Sequence, residues 1–394
     1  MQQNTWFTPE GIEDLLPVQA EKLEFYRRAL LNELALSGYR LVLPPIAEFT
    51  DSLLTGTGRK LALDTCRFTD NESGRMMGVR ADMTPQVARI VSNRIKPENG
   101  VVRLCYVGEI LKSRNNKAKG SRSPIQLGAE IFGHHGVQSD IEIIDLMLSC
   151  ARLLQLENIQ LSLGHVGIVQ ALMDWAGLTQ MQQADLVDIL KRKALPEYQV
   201  WLVQQNFDSA IHHVFDTLAR LTGEATDVMD LAKSTLMGLT DELDAALAHL
   251  SSLLNYLAHT QAMRPHLDLS DLRGFQYHTG VIFACYSLGG MTPLLVAKGG
   301  RYDEVCSAFG EAHAATGFSM DLRNILDKLP ALPELSASPV YAPFSEDPAL
   351  YTLIRRLREQ GRQVVRCYEE SAVPTDAARL VQAAGEWVVK SNES

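Results

Sequence analysis

The sequence predicts an α+β fold: an antiparallel sheet flanked by helices, interrupted by a helical insertion and followed by a small C-terminal α/β element. Three observations predict it. Residues 103–133, RLCYVGEILKSRNNKAKGSRSPIQLGAEIFG, read as a strand, a basic polar loop and a return strand. From 168 to about 260 the texture changes to Leu, Ala, Met, Gln and Asp, with helical periodicity at 187–190 and 243–257 and few glycines or β-branched residues. Residues 330–348 are rich in Pro, Ser and Ala and precede a short run of alternating helix and strand patterns. The expected division is 1–167 and 263–329 for the two parts of the core, 168–262 for the insertion, 330–348 for a linker and 349–394 for the C-terminal element.

Composition sets the class. The chain has 394 residues, 46% of them apolar, which supports a large buried core and excludes disorder. Its net charge of −10 argues against an extensive nucleic-acid footprint, because phosphate contacts need clustered cations. The six cysteines show no CxxC and no metal-ligand spacing, so reduced thiols in a cytoplasmic protein are expected, with no metal and no cofactor. No secretory signal and no apolar run of about 18 residues is seen, so no membrane association is expected.

The elements follow in order. Leu23, Tyr26, Leu30 and Leu34 recur at helical spacing over 18–37, and Gly38 supplies the stop. A strand over 40–43 ends at Pro44-Pro45, since proline cannot donate to a ladder. Residues 78–81 read as strand, and Thr84-Pro85 opens a helix with Thr84 as cap. Asp140 is expected to cap a helix running to about 156, with a strand over 159–163 after it. Strand character returns at 274–286 and 294–297. The C-terminal pattern reads helix 349–360, strand 363–368, helix 375–384 and strand 386–390. The basic stretch LIRRLREQGR (353–362) reads as a solvated amphipathic face.

Strand alternation places Gln126, Gly128 and Glu130 on one face of the return strand. A glycine between two polar side chains leaves room for a ligand; equally, such a strand is an ordinary half-exposed one. In VRADMTPQVARI (79–90) a carboxylate and a hydroxyl, Asp82 and Thr84, stand at a helix start, where they suit an α-ammonium group; Thr84 is also explained as a cap alone. His278, in DLRGFQYHTG (271–280), is open between a packed core histidine and a ligand group.

The 103–133 unit resembles the second signature of class II aminoacyl-tRNA synthetases, in its histidyl-tRNA synthetase form. GIEDLLP (11–17), RADMTPQ (80–86), RGFQYH (273–278), KGGRYDEV (298–305) and GFSMDLRN (317–324) follow in that family's order, so the resemblance covers about 7–327. It implies a histidine pocket of Asp82, Thr84, Gln126, Glu130, Arg273, Tyr277, His278 and Tyr302, and a self-dimer through the N-terminal helix and strand. The phosphate-handling positions depart from the pattern. Lys112 stands in place of Arg, Arg114 in place of an acid, Asp321 in place of Gly, Arg323 in place of Glu and Asn324 in place of Arg. Adenylate formation is mostly neutralisation of phosphate charge, and lysine does not replace a bidentate guanidinium. No catalytic residue is therefore expected. After the linker, only about half of an anticodon-binding domain remains, so tRNA is not an expected partner. RADMTPQ is itself typical of the synthetase-like regulatory subunits of ATP phosphoribosyltransferase. That resemblance implies a short-form catalytic partner, a hetero-octamer, and histidine as the allosteric feedback ligand. A divergent active synthetase and a free-standing histidine-binding module are the alternatives.

Overall fold

The computed structural model describes residues 7–56, 59–95, 100–114, 121–275, 277–310, 312–332, 338–369 and 373–390. Gln276, Lys117 and Lys119 of the sequence motifs lie outside the described residues. The chain forms two compact units, 1–330 and 331–394. In chain order the first comprises α1 (Pro17–Leu36), β1 (Arg40–Leu41), β2 (Ala47–Phe49), α2 (Thr50–Leu53), α3 (Arg59–Asp64), β3 (Cys66–Thr69), β4 (Met76–Val79), α4 (Thr84–Asn93), β5 (Val102–Glu109), β6 (Ile125–Phe132), α5 (Val137–Leu153) and β7 (Ile159–His165). It continues with α6 (Val166–Trp175), α7 (Gln180–Arg192), α8 (Leu195–Gln204), α9 (Ser209–Leu218), β8 (Thr222–Glu224), α10 (Ala225–Leu236), α11 (Asp241–Thr260), β9 (His266–Asp268), β10 (Val281–Ser287), β11 (Leu294–Arg301), β12 (Ala315–Asp321) and α12 (Leu322–Ile325).

A nine-stranded sheet, ordered β1-β5-β6-β12-β11-β10-β7-β9-β8, runs through the first unit. Its six central strands pair antiparallel, while β1 joins β5, and β9 joins β7, in parallel. The α5 helix packs against β6, β10, β11 and β12, and α1 against α5. The α1 helix starts with Pro17 at its first turn and buries Tyr26, Leu30, Leu31 and Leu34; Gly38 follows at φ 86°, a conformation that suits glycine. The β1 pairing covers only Arg40–Leu41 before the prolines, so this strand is an edge.

Several sequence expectations are corrected. Residues 274–275 and 277–280 do not begin a strand: the Gly274 carbonyl accepts from the Tyr277 and His278 amides at 2.7 and 2.9 Å. The insertion is not purely helical, since β8 adds to the sheet edge beside β9. Asp140 does not cap α5. Gly136 occupies the cap position, and Asp140 is fully buried one turn further in. Thr84 is the first residue of α4, not its cap; Met83 holds that position and offers no side-chain bond.

The second unit comprises β13 (Val340–Pro343), α13 (Pro348–Glu359), β14 (Val364–Cys367), β15 (Ala378–Ala383) and β16 (Glu386–Lys390), in a sheet ordered β14-β13-β15-β16. Strand β13 lies inside the expected linker. The expected helix over 375–384 is instead β15, paired antiparallel with β16 through a two-residue turn whose Ala384 and Gly385 both have positive φ. Alanine-rich propensity favoured a helix there, but pairing with Trp387, Val388 and Val389 decides otherwise. In α13, Leu350, Leu353, Ile354 and Leu357 are buried while Arg355, Arg356 and Arg358 stay exposed, the solvated amphipathic face of the sequence reading. Among the described residues no helix is long and apolar enough to cross a membrane.

One buried ionic cluster ties the helix layer to the sheet. Arg301, at the end of β11, donates from Nε (3.1 Å) and an Nη (2.9 Å) to Asp140 Oδ2. Its remaining N–H groups reach the His134 and Gly136 carbonyls, Ser139 Oγ and Asp303 Oδ1. Burial by itself would raise the Asp140 pKa, yet contacts from His249 and Arg301 outweigh it and hold the group below the usual carboxylate range. Asp140→Ala removes the fully buried carboxylate that Arg301 faces and leaves it only the partly exposed Asp303, and is expected to cost about 3–5 kcal/mol of stability in urea unfolding. The double variant Asp140→Ala/Arg301→Met is expected to recover part of that loss.

Candidate ligand site

The site is built on β6, which is buried on both faces, so the half-exposed reading of this strand does not hold. Cross-strand register sets its chemistry. Glu130 lies opposite Leu104 of β5 and Gly317 of β12, and Gly128 lies opposite Tyr106. A Cβ on Gly317 would fall 1.5 Å from Glu130 Oε2, and one on Gly128 would fall 2.3 Å from the Tyr106 hydroxyl. Both glycines therefore make room for neighbouring side chains. The space above Gly128, expected to admit a ligand, is taken by Tyr106.

Glu130 is 1% exposed and accepts three hydroxyl donors: Thr84 Oγ1 at 3.0 Å and Tyr106 at 2.9 Å on Oε1, and Tyr302 at 2.5 Å on Oε2. Burial pushes its carboxyl up to about 8; the three hydroxyl bonds pull the other way, and the nearby Asp82 charge adds to the rise. Four of the expected positions thus converge. Gln126 joins them from one turn of the pleat away, accepting from the Met83 amide at 2.9 Å and donating to Asp82 Oδ1 at 2.9 Å. Asp82 Oδ1 also accepts from the Thr84 amide at 3.1 Å, so the aspartate rather than the threonine secures the start of α4.

Tyr277 stacks on Tyr302, with ring centres 5.1 Å apart and planes at 29°. Its hydroxyl is buried without a hydrogen-bond partner, in electrostatic reach of Glu130 and Asp82. A buried hydroxyl of this kind is costly unless something bonds it. His278 lies edge-on to Tyr277 with its Nδ1 unpartnered; burial pushes its pKa down to about 4, so it is neutral near pH 7. It makes no hydrogen bond to Glu130. Arg273 turns elsewhere, to the Asp271 carboxylate and to the Tyr286 hydroxyl at 2.6 Å.

Sequence reading missed Tyr106, which contributes as much to the Glu130 cage as Thr84 does. Its signal was available: a tyrosine facing a glycine across two antiparallel strands gives the ring a place to lie.

The phosphate-handling positions are engaged with the chain itself. Arg114 bonds Asp64 at 2.9 Å, and the Lys112 carbonyl accepts from Arg122. Asp321 caps the short α12, accepting from the amides of Arg323 (3.1 Å) and Asn324 (3.3 Å). Its pKa is raised by burial, partly offset by those amides and by Lys112. The Asn324 amide donates to the Leu295 carbonyl, and the Arg323 guanidinium to that of Glu13.

The histidyl-tRNA synthetase family model matches residues 11–325, and the model for the ATP phosphoribosyltransferase subunit HisZ C-terminal domain matches 337–390. The ATP phosphoribosyltransferase regulatory subunit of Hydrogenovibrio crunogenus is 55% identical over 389 residues, covering 99% of both chains. That of Thioalkalivibrio sulfidiphilus is 45% identical, covering 92% of this chain and 91% of its own. The chain belongs to the ATP phosphoribosyltransferase regulatory subunits. Within the family, a solved structure described as an ATP phosphoribosyltransferase regulatory subunit/histidyl-tRNA synthetase from Bacillus halodurans superposes with a TM-score of 0.82 at 26% identity over 95% of each chain. Histidyl-tRNA synthetase from Nostoc superposes at 0.78 with 14% identity, covering 99% of this chain and 97% of its own, which shows the class II fold alone.

The raised Glu130 pKa has a measurable consequence. Between about pH 4.5 and 8 the folded state binds the Glu130 proton that the unfolded chain has released, so this residue's contribution to stability falls as pH rises through that window. Glu130→Gln cannot titrate. The melting temperature of wild type minus that of Glu130→Gln is expected to decrease steadily from pH 4.5 to 8 in differential scanning calorimetry.

Proposed function

We propose that this regulatory subunit binds free histidine in the Glu130 pocket, does not adenylate it, and transmits occupancy to a short-form ATP phosphoribosyltransferase catalytic subunit, giving feedback control of the first step of histidine biosynthesis. The observation that carries the reading is the buried carboxyl of Glu130, set among hydroxyl groups beside an unpartnered Tyr277 hydroxyl and the stacked Tyr277–Tyr302 rings. Aromatic walls ending in a polar, proton-bearing group suit an imidazole, which has an apolar body and a polar edge. Asp82, with Gln126 beside it, supplies an anionic partner for the α-ammonium group.

The absence of catalysis is supported by the nucleotide side. Arginine geometry matters for phosphoryl chemistry, and here Asp321 and Asn324 spend their polar groups on α12 and on backbone. Arg273, the signature arginine that remains, is clasped by Asp271 and Tyr286. Assembly with itself is supported by exposed apolar side chains along α1 and the segment after it: Phe25, Leu36, Leu41, Leu43 and Ile46. A cytoplasmic location and independence from tRNA belong to the same proposal.

Titration of the chain into purified short-form catalytic subunit, with and without histidine, tests the function. Activation that histidine reverses is expected, with no pyrophosphate exchange from ATP and histidine. Histidine-dependent exchange at synthetase rates would overturn the regulatory reading in favour of an active synthetase.

Proton bookkeeping gives a second test. Near pH 7 the free imidazole is mostly neutral and Glu130 carries a proton, so one proton already present serves the imidazole–carboxyl pair. Calorimetry in buffers of different ionisation heat is expected to show no net proton exchange near pH 7, uptake above about 8 and release below about 6.5. Affinity falls on both sides. A pH-independent affinity across that range would remove Glu130 from the pocket.

A further inference from the structure

We propose that His249, carried by the helical insertion, is a positioning residue that couples the insertion to the ligand pocket through Asp140 and Arg301. The inference rests on the histidine-pocket reading and adds the route by which the pocket is sensed.

Consecutive residues of one strand end face two different places. Arg301 points into the helix layer and is held there by Asp140, two backbone carbonyls, Ser139 and Asp303. Tyr302, the next residue, delivers its hydroxyl to Glu130 and its ring to Tyr277. Asp303 closes the frame, accepting from the Ala315 amide at 2.9 Å and from Thr279 Oγ1 at 3.2 Å, two residues from Tyr277. The pocket's Tyr302 therefore cannot shift while Arg301 and Asp303 stay fixed.

His249 reaches this frame from outside. It sits on α11, whose Leu243, Leu247, Leu250, Leu253 and Leu257 are buried, and its Nε2 lies 2.9 Å from Asp140 Oδ2. The His165 ring, at the start of α6, packs 6.0 Å from it. Another polar link from α11 to α5, Tyr256 to Asp145, stops at the helix. The His249 contact continues through Asp140 into Arg301 and the pocket strand. Three polar atoms at this junction, Asp140 Oδ1, His165 Nδ1 and His249 Nε2, are buried without a well-aligned hydrogen bond. Buried groups left without a well-aligned bond can be re-bonded in a second arrangement, which is what a two-state coupling element requires.

The test uses full-length chain with short-form catalytic subunit. In His249→Leu, activation without histidine is expected to stay within about twofold of wild type, while the histidine concentration for half-inhibition rises at least about fivefold. His249→Gln, which keeps an N–H donor at the same reach, is expected to restore inhibition. Wild type that binds and responds to histidine, beside a folded His249→Leu variant with an unchanged midpoint, overturns the coupling and leaves the pocket reading standing. Wild type that binds no histidine overturns the pocket reading first. Should His249→Leu fail to fold, hydrogen exchange on the wild-type complex decides. Changed protection in α11 around residue 249 on adding histidine is the expected result, and unchanged protection there overturns the inference.

Discussion

The buried Asp140–Arg301 pair is the constraint on which the architecture around Glu130 rests. A guanidinium removed from water needs its N–H groups satisfied in place, and Arg301 achieves this with a carboxylate, a serine and two carbonyls from α5 and the turn before it, and with Asp303 just beyond β11. No apolar contact has that directional demand. The pair consequently sets where β11 ends relative to α5, and that end carries Tyr302.

From there the pocket follows by geometry. β6 lies between β5 and β12, and the two glycines that face Tyr106 and Glu130 let those side chains approach the neighbouring strands closely. A carboxyl placed at such a depth keeps its proton to about pH 8, yet stays bonded to three hydroxyls. Under the proposed reading its partner is an imidazole, which exchanges a proton near neutral pH. Around α12 the character differs: Asp321 caps the helix, the Asn324 side chain bonds the Leu295 carbonyl, and Arg114 bonds Asp64. Under the proposed reading, the Glu130 side holds an amino acid while the α12 side binds itself, which suits a sensor rather than a ligase.

Much of this was legible in sequence, for identifiable reasons. Helix α13 carries a strong amphipathic pattern, and the ordered motifs are specific enough to point to a family. Reading failed where side-chain function competes with local rules. Thr84 and Asp140 both look like helix caps, because short polar residues at helix starts usually are; each instead serves a buried partner distant in sequence, Glu130 and Arg301 respectively. Strand β12 was invisible because glycine and serine break its apolar alternation, and the glycine is there to admit Glu130. Residues 378–383 read as helix by composition, and only pairing with β16 makes them a strand.

The amino-acid sequence by itself determined the fold class and the family, since these depend on pattern and residue type. Tertiary structure alone decided which polar groups meet. Glu130 gathers Thr84, Tyr106 and Tyr302 from sites up to 172 residues away, while Arg273 turns to Asp271 and Tyr286. Hydrogen bonds and desolvation act over a few ångströms of space, and the spacing of residues along a chain does not report those distances.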